Sequence, residues 1–268
     1  MGEHDSMRRG ACGQRCAERR SRASYSGLLR LIEMNSGEIK SITVTSRATA
    51  LLEVLAVTAI AYLTRAALHG FGVGFASGAV ATVVALVVAT FLLRRRDLGW
   101  RELGCRRPPF MRSAAIWTAG LFLADMLLVT PLMSMFANAL HLPAQRLEAF
   151  DQLRGNLALY LLLLIPIGWG SAAFGEELIF RGFIARRLAD ALGGTGRAEL
   201  AAAAGQAMLF ALGHAYLGPR GMLNAGALGF VAGLGYRWNG RNLWPLFIAH
   251  GLVDSVGLTV LFLGAAHV

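Results

Sequence analysis

The chain is poor in charge and poor in cysteine. Only 16% of its 268 residues are Asp, Glu, Lys or Arg, against 55% hydrophobic residues and a mean hydropathy of +0.51. Soluble domains sit near about 45–50% apolar and about 25% charged, so a soluble globular fold is not the expectation and a multi-span membrane protein is. Three cysteines, Cys12, Cys16 and Cys105, are too few for a disulfide framework. Cys12-x-x-x-Cys16 lacks a second half with which to build a zinc site. What charge there is has one dominant sign, with a formal net of +10. The arginines cluster in the first 46 residues and between apolar runs, where they act as topology determinants rather than as a basic face for nucleic acid, so no nucleic-acid partner is expected.

Residues 1–46 are polar and arginine-rich and contain no continuous apolar region of the kind a secretory signal needs. They read as a disordered cytoplasmic tail, with Met34 as an alternative start. Residues 47–268 read as the membrane domain. Its first apolar run, Ala48 to Leu68, carries Glu53 and Arg65 near its ends, where side chains are expected to snorkel to the interface. The second, Phe71 to Leu93, has no charge, and Gly72, Gly74 and Gly78 point to close helix packing. Seven arginines between Arg94 and Arg112, against Asp97 and Glu102, assign that loop and the tail to the cytoplasm.

A third run, Ser113 to Phe136, holds Asp125 near its middle, which reads as a hydrogen bond to a neighbouring helix before it reads as a site. Leu140, Leu142, Leu147, Phe150 and Leu153 predict a short interfacial helix. The fourth run starts at Leu157 and passes Pro166, Gly168 and Gly170, where a kink is expected, before it meets Glu176 and Glu177. Amphipathic residues 183–192 follow, then segments 198–216, 222–236 and 243–266, separated by turn sequences. The predicted fold is an all-α polytopic bundle of seven helices, or eight if the Glu176 helix is broken, with a polar site inside.

Within the last hundred residues few ionisable groups are set into apolar helix: Glu176, Glu177, Arg181, His214, His250 and Asp254. Glu177 and Arg181 are spaced i,i+4 and can pair across one turn, as can His250 and Asp254. Phe210 precedes His214 by the same interval. Adjacent Glu176 and Glu177 point about 100° apart on a helix, so Arg181 neutralises Glu177 and leaves Glu176 free. A carboxylate in an apolar site can accept a proton from water, one imidazole can orient that water, and a second with Asp254 can stabilise an oxyanion. Glu176, His214 and His250 could equally hold zinc or another divalent metal. Each element taken singly has a blander reading, a structural ion pair or an interhelical hydrogen bond.

Other protease chemistries are absent. There is no His-Glu-x-x-His, no Gly-x-Gly-Asp and no P-loop, and Gly74-Phe75-Ala76-Ser77-Gly78 has one residue too many for the serine loop of rhomboid proteases. The order Glu176-Glu177-Leu178-Ile179-Phe180-Arg181, Phe210-Ala211-Leu212-Gly213-His214 and His250-Gly251-Leu252-Val253-Asp254 resembles the CPBP family. These are the type II CAAX prenyl proteases and their bacterial relatives, including bacteriocin-processing and immunity proteins. Phe180-Arg181-Gly182 and Asp97-Leu98-Gly99 fit the same pattern, which spans about residues 94–263.

By that resemblance Glu176 and His214 activate water, His250 and Asp254 stabilise the tetrahedral intermediate, and Glu177, Arg181 and Phe210 support the site. The family often carries Asn at the position of Asp254, and an ionised aspartate cannot donate to an oxyanion. Asp254 must then be protonated, orient His250, or bind a metal. The implied activity is an intramembrane endopeptidase, glutamate- or metal-dependent, acting on a membrane-associated or lipidated protein or peptide. The alternative is a non-catalytic scaffold or immunity-type protein that binds a partner in the same cavity. Arginine- and alanine-rich composition places the protein in a bacterial inner membrane, with the lipid bilayer as its other partner.

Overall fold

The computed structural model describes residues 47–74 and 76–264. The expected tail over residues 1–46, with Cys12, Cys16 and Met34, lies outside the described residues. One compact unit begins at Thr49. Its long helices are α1 Arg47–Gly70, α2 Ala76–Arg94, α3 Met111–Ala139, α4 Leu157–Ala191, α5 Gly196–Gly213, α6 Gly218–Trp238 and α7 Trp244–Phe262. Among the described residues there is no strand. The fold is an all-α helical membrane bundle.

Local signals in the chain set the helix starts. Asn156 accepts a hydrogen bond from the Leu159 amide at 3.1 Å and opens α4, and Thr195 accepts from Ala198 at 3.2 Å to open α5. Asn242 accepts from Trp244 at 3.0 Å, and Pro245 sits in the first turn of α7, where its missing N–H is no loss. Helices α1, α2, α3, α4 and α7 are each long and apolar enough to cross a bilayer. Helices α5 and α6 meet at a bend of 56° around His214, and the bent pair can count as a sixth span.

Of the two counts left open, seven helices or eight, α4 settles the choice on its unbroken form: it runs 35 residues through the double glutamate, and the amphipathic stretch 183–192 is its continuation. Its backbone is π-helical over Leu163–Glu176, including Pro166, and again over Leu178–Ile184. A wider turn moves the carbonyl that a proline ring would strike in a regular α-helix, so the helix absorbs Pro166 without ending. Helix α3 uses the same device at Asp125–Val129, just before Pro131. The expected interfacial helix is only a short 3₁₀ stretch, Glu148–Leu153, because the chain leaves α3 at Leu140 and passes Pro143.

Alternate helix ends gather at one arginine-rich end of the bundle. Glu53 near the start of α1 accepts hydrogen bonds from Arg96, just past α2, at 2.8 Å and from Arg187, near the end of α4, at 2.7 Å. Tyr236 near the end of α6 donates to the Leu103 carbonyl at 2.7 Å. Glu53 is therefore buried between two guanidiniums and does not snorkel. Asp125 too is buried, and its hydrogen bond comes from Thr130 of its own helix at 3.3 Å, not from a neighbour.

Helix α4 lies at the centre. Beyond the glutamates it sends Ile179, Phe183 and Ile184 into a core with Val54, Val57 and Ala85, and Leu178 into a second core with Tyr236, Leu243 and Phe247. Small residues bring α5 and α6 together: a Cβ on Gly226, Gly229 or Gly233 would meet Ala211, Ala207 or Ala203 within 3.2–3.5 Å. That interval puts three small residues of each helix in one seam, the packing that apolar solvent leaves available.

Removing the carboxylate of Glu53 strands two guanidiniums at this buried junction, although Arg187 keeps Asp190 at 2.7 Å. Glu53→Ala should therefore cost about 3 kcal/mol of stability. A lowered thermal midpoint of the purified protein in detergent is the readout; a midpoint equal to wild type refutes the assignment.

Candidate active site

Glu176 and Glu177 sit at the junction of the two π-helical stretches of α4, and their side chains diverge. Glu177 is 2% exposed and turns toward α7. Its Oε1 forms an ion pair with Arg181 Nη1 at 2.8 Å and accepts from His250 Nδ1 at 2.8 Å, while its Oε2 is buried without a hydrogen-bond partner among the described residues. A carboxylate only accepts, so His250 presents Nδ1–H to Glu177. Arg181, 1% exposed, lays its guanidinium over the Phe210 ring with 4.6 Å to the centroid. Phe210 also packs on His214, at 4.5 Å between centroids, on His250 at 6.3 Å, and edge-on to Phe180 at 5.0 Å. One aromatic ring thus touches both histidines and the buried cation.

His214 closes the last turn of α5, where carbonyls lack intrahelical partners. Its ring Nδ1 lies 2.8 Å from the Phe210 carbonyl, which can only accept, so Nδ1 carries the proton and Nε2 keeps its lone pair. Asp254, one turn beyond His250 on α7, places Oδ2 3.7 Å from His250 Nε2, too long for a direct hydrogen bond. Close approach of α7 to α4 depends on Gly251, where a Cβ would meet the Trp169 ring at 2.6 Å. The Trp169 indole N–H secures that contact by donating to Ser255 at 3.1 Å.

About a quarter turn round α4 from Glu177, Glu176 faces a cavity of about 50 Å³ that it shares with His214, Thr58, Tyr62 and Arg65. Glu176 Oε2 and Thr58 Oγ1 are both buried there with no hydrogen-bond partner. A cavity of that size has room for a few water molecules and not for a peptide, and a bound water needs two to four polar partners. Glu176, Thr58 and His214 Nε2 are such a set. The arrangement thus brings Glu176 to the same cavity as His214, and Glu177, Arg181, His250 and Asp254 to one another, with Phe210 in contact with both histidines.

The metal expectation does not fit. Among the described residues no three His, Cys, Asp or Glu side chains come together in a way that could hold a metal ion. No step below is routed through a metal.

Residues 157–256 match the model of the Rce1-like family, described as type II CAAX prenyl endopeptidase Rce1-like. The match supports CPBP family membership. All seven residues of the CPBP motifs lie within the matched segment. No curated protein and no solved structure matches the chain.

Sequence reasoning missed what α1 contributes. Arg65 was expected to snorkel; instead it donates to the Gly213 carbonyl at 2.5 Å, and its guanidinium covers the Tyr216 ring at 4.2 Å. The Tyr62 hydroxyl donates to the Leu209 carbonyl, so two side chains of α1 clamp the last turns of α5 that present His214. The available signal was spacing: Thr58, Tyr62 and Arg65 follow i,i+4,i+7 on an otherwise apolar helix and share one face.

If Arg181 is the counter-charge of buried Glu177, Arg181→Leu should destabilise the protein by about 3–5 kcal/mol, and Glu177→Leu with Arg181→Leu together should recover much of that loss. Thermal unfolding of the two single variants and the double variant tests this. Additive losses would show that the two side chains act independently.

Proposed function

We propose that this protein is an intramembrane endopeptidase that hydrolyses a peptide bond of a membrane-associated protein or peptide with water activated by Glu176 and His214. The family match supports a protease of CAAX type. The observation that carries the finer reading is the unpartnered Oε2 of Glu176, buried in the cavity that it shares with His214. A buried carboxylate without a partner is costly and persists where it has a task.

In this reading a water in that cavity gives one hydrogen to Glu176 Oε2 and the other to His214 Nε2. Its oxygen attacks the scissile carbonyl carbon as Glu176 takes the proton. The resulting oxyanion collapses, the C–N bond breaks, and Glu176 returns the proton to the leaving amine, so the products are a carboxylate and an amine. His250 serves the oxyanion. Because its Nδ1–H is committed to Glu177, its Nε2 can donate only from the doubly protonated ring, and Glu177 and Asp254 are the carboxylates that balance that charge. Asp254 then acts through His250 and need not itself donate. Arg65 and Tyr62 hold the turn that aims His214. The arginine-rich end of the bundle faces the cytoplasm by the positive-inside rule, in a bacterial inner membrane.

The test uses purified protein in liposomes and a panel of membrane-anchored reporter peptides, lipidated and unlipidated, with products read by mass spectrometry. Glu176→Ala and His214→Ala should each lower cleavage by about 10²-fold or more while leaving the thermal midpoint close to wild type. Undiminished cleavage by both variants overturns the proposal. Full biological activity of both, with no cleavage by wild type, favours a binding protein that uses the same cavity.

A further inference from the structure

A second and larger cavity, of about 480 Å³, opens at the arginine-rich end, away from Glu176 and His214. Its walls come from the ends of α2, α4 and α6 and from the segments that follow α2 and α6. Five guanidiniums line it, those of Arg106, Arg186, Arg187, Arg237 and Arg241, against the two carboxylates of Glu102 and Asp190. Leu93, Leu98, Leu103 and Tyr236 supply an apolar floor.

The local counter-charges are over-shared. Glu53 serves both Arg96 and Arg187, Asp190 serves both Arg186 and Arg187, and Glu199 serves both Arg237 and Arg241. Glu102 accepts from the Gly99 amide. Arg106 makes only a 3.4 Å contact with the Gly240 carbonyl, and Arg186 only a 3.4 Å contact with Asp190. Arg187 is 7% exposed, and its Nη2 is buried without a partner. A buried guanidinium nitrogen with its donors unspent, on the wall of a cavity with excess positive charge, calls for an anion with several acceptor oxygens.

We infer that this cavity is a binding site for a phosphate group, held by Arg106 and Arg186 with Arg187 on its wall. Guanidiniums match phosphate oxygens in forked pairs. The cavity's place at the ends of membrane-crossing helices suits the headgroup of an anionic phospholipid, since basic pockets between such helices sit at headgroup depth. Its apolar floor would take the first carbons below the phosphate. The site is separate from the proposed hydrolytic chemistry, and its test does not depend on that chemistry.

The thermal midpoint of the purified full chain in a neutral detergent would be followed during titration with phosphatidylglycerol, phosphatidylcholine or inorganic phosphate. Wild type should be stabilised by phosphatidylglycerol and not by phosphatidylcholine. Arg106→Gln with Arg186→Gln should bind about tenfold or more weakly. Arg94→Gln with Arg95→Gln removes the same charge from the same end but not from the cavity, and should respond as wild type. Stabilisation by phosphatidylglycerol alone identifies a lipid headgroup, whereas stabilisation by inorganic phosphate as well identifies the phosphate group itself; both support the site. No response of wild type, or the same loss in both double variants, overturns it. If the first double variant has a lowered midpoint before any ligand is added, Arg186→Gln alone replaces it and should still show weakened binding.

Discussion

Glu177, Arg181 and His250 meet at one carboxylate oxygen inside the bundle, and the rest of the site is arranged around that meeting. Each of these groups would be costly to bury alone, and a charge pair in a low-dielectric interior holds only with good geometry and further partners. Here the partners are specific. Arg181 and His250 each reach Glu177 Oε1 at 2.8 Å, and the face of Phe210 covers the guanidinium. The arrangement ties α4 to α7 through His250 and to α5 through Phe210. A packed apolar contact could join the same helices, but it would not fix which nitrogen of His250 carries the proton. The carboxylate does that, and it leaves Nε2 as the atom turned toward Asp254.

The bundle admits such polar groups because small residues let its helices approach closely. Gly251 lets α7 reach the Trp169 ring on α4, and the Gly226, Gly229 and Gly233 seam seats α6 on α5. Wider π turns do the complementary task within α4, carrying it past Pro166 and presenting two adjacent glutamates to different helices. Close packing on one side and a loosened backbone on the other are two solutions to one constraint, that polar groups must find partners where no bulk water reaches them.

How much of this the sequence discloses follows from distance along the chain. Interactions one helical turn apart are legible: the Glu177–Arg181 pair, the placing of Phe210 on His214, and the shared side of His250 and Asp254 all follow from i,i+4 spacing. The runs of apolar residues likewise mark most helices to within a few residues. Contacts that cross the fold are not legible. Nothing in the spacing says that His250 will reach Glu177, 73 residues earlier, or that Arg65 of α1 will fold inward to Gly213 rather than outward to the interface. The π-helical course of α4 was hidden for another reason, since the pattern of proline and glycine is read against a regular α-helix.

The two neighbouring glutamates have different surroundings, an ion pair and a histidine for Glu177 and a cavity for Glu176, and that difference bears most directly on function. Glu177 Oε1 has the His250 donor and the Arg181 charge, and its Oε2, like Glu176 Oε2, is buried without a hydrogen-bond partner among the described residues. Thr58 Oγ1, unpartnered in the same cavity, and His214 Nε2, freed by the bond from Nδ1 to the Phe210 carbonyl, increase the local deficit. Two acceptors and a hydroxyl that can donate, lining a space sized for water, are poorly served by the protein and well served by a water molecule. The group that stability left unsatisfied is therefore also the group best placed to take a proton from that water.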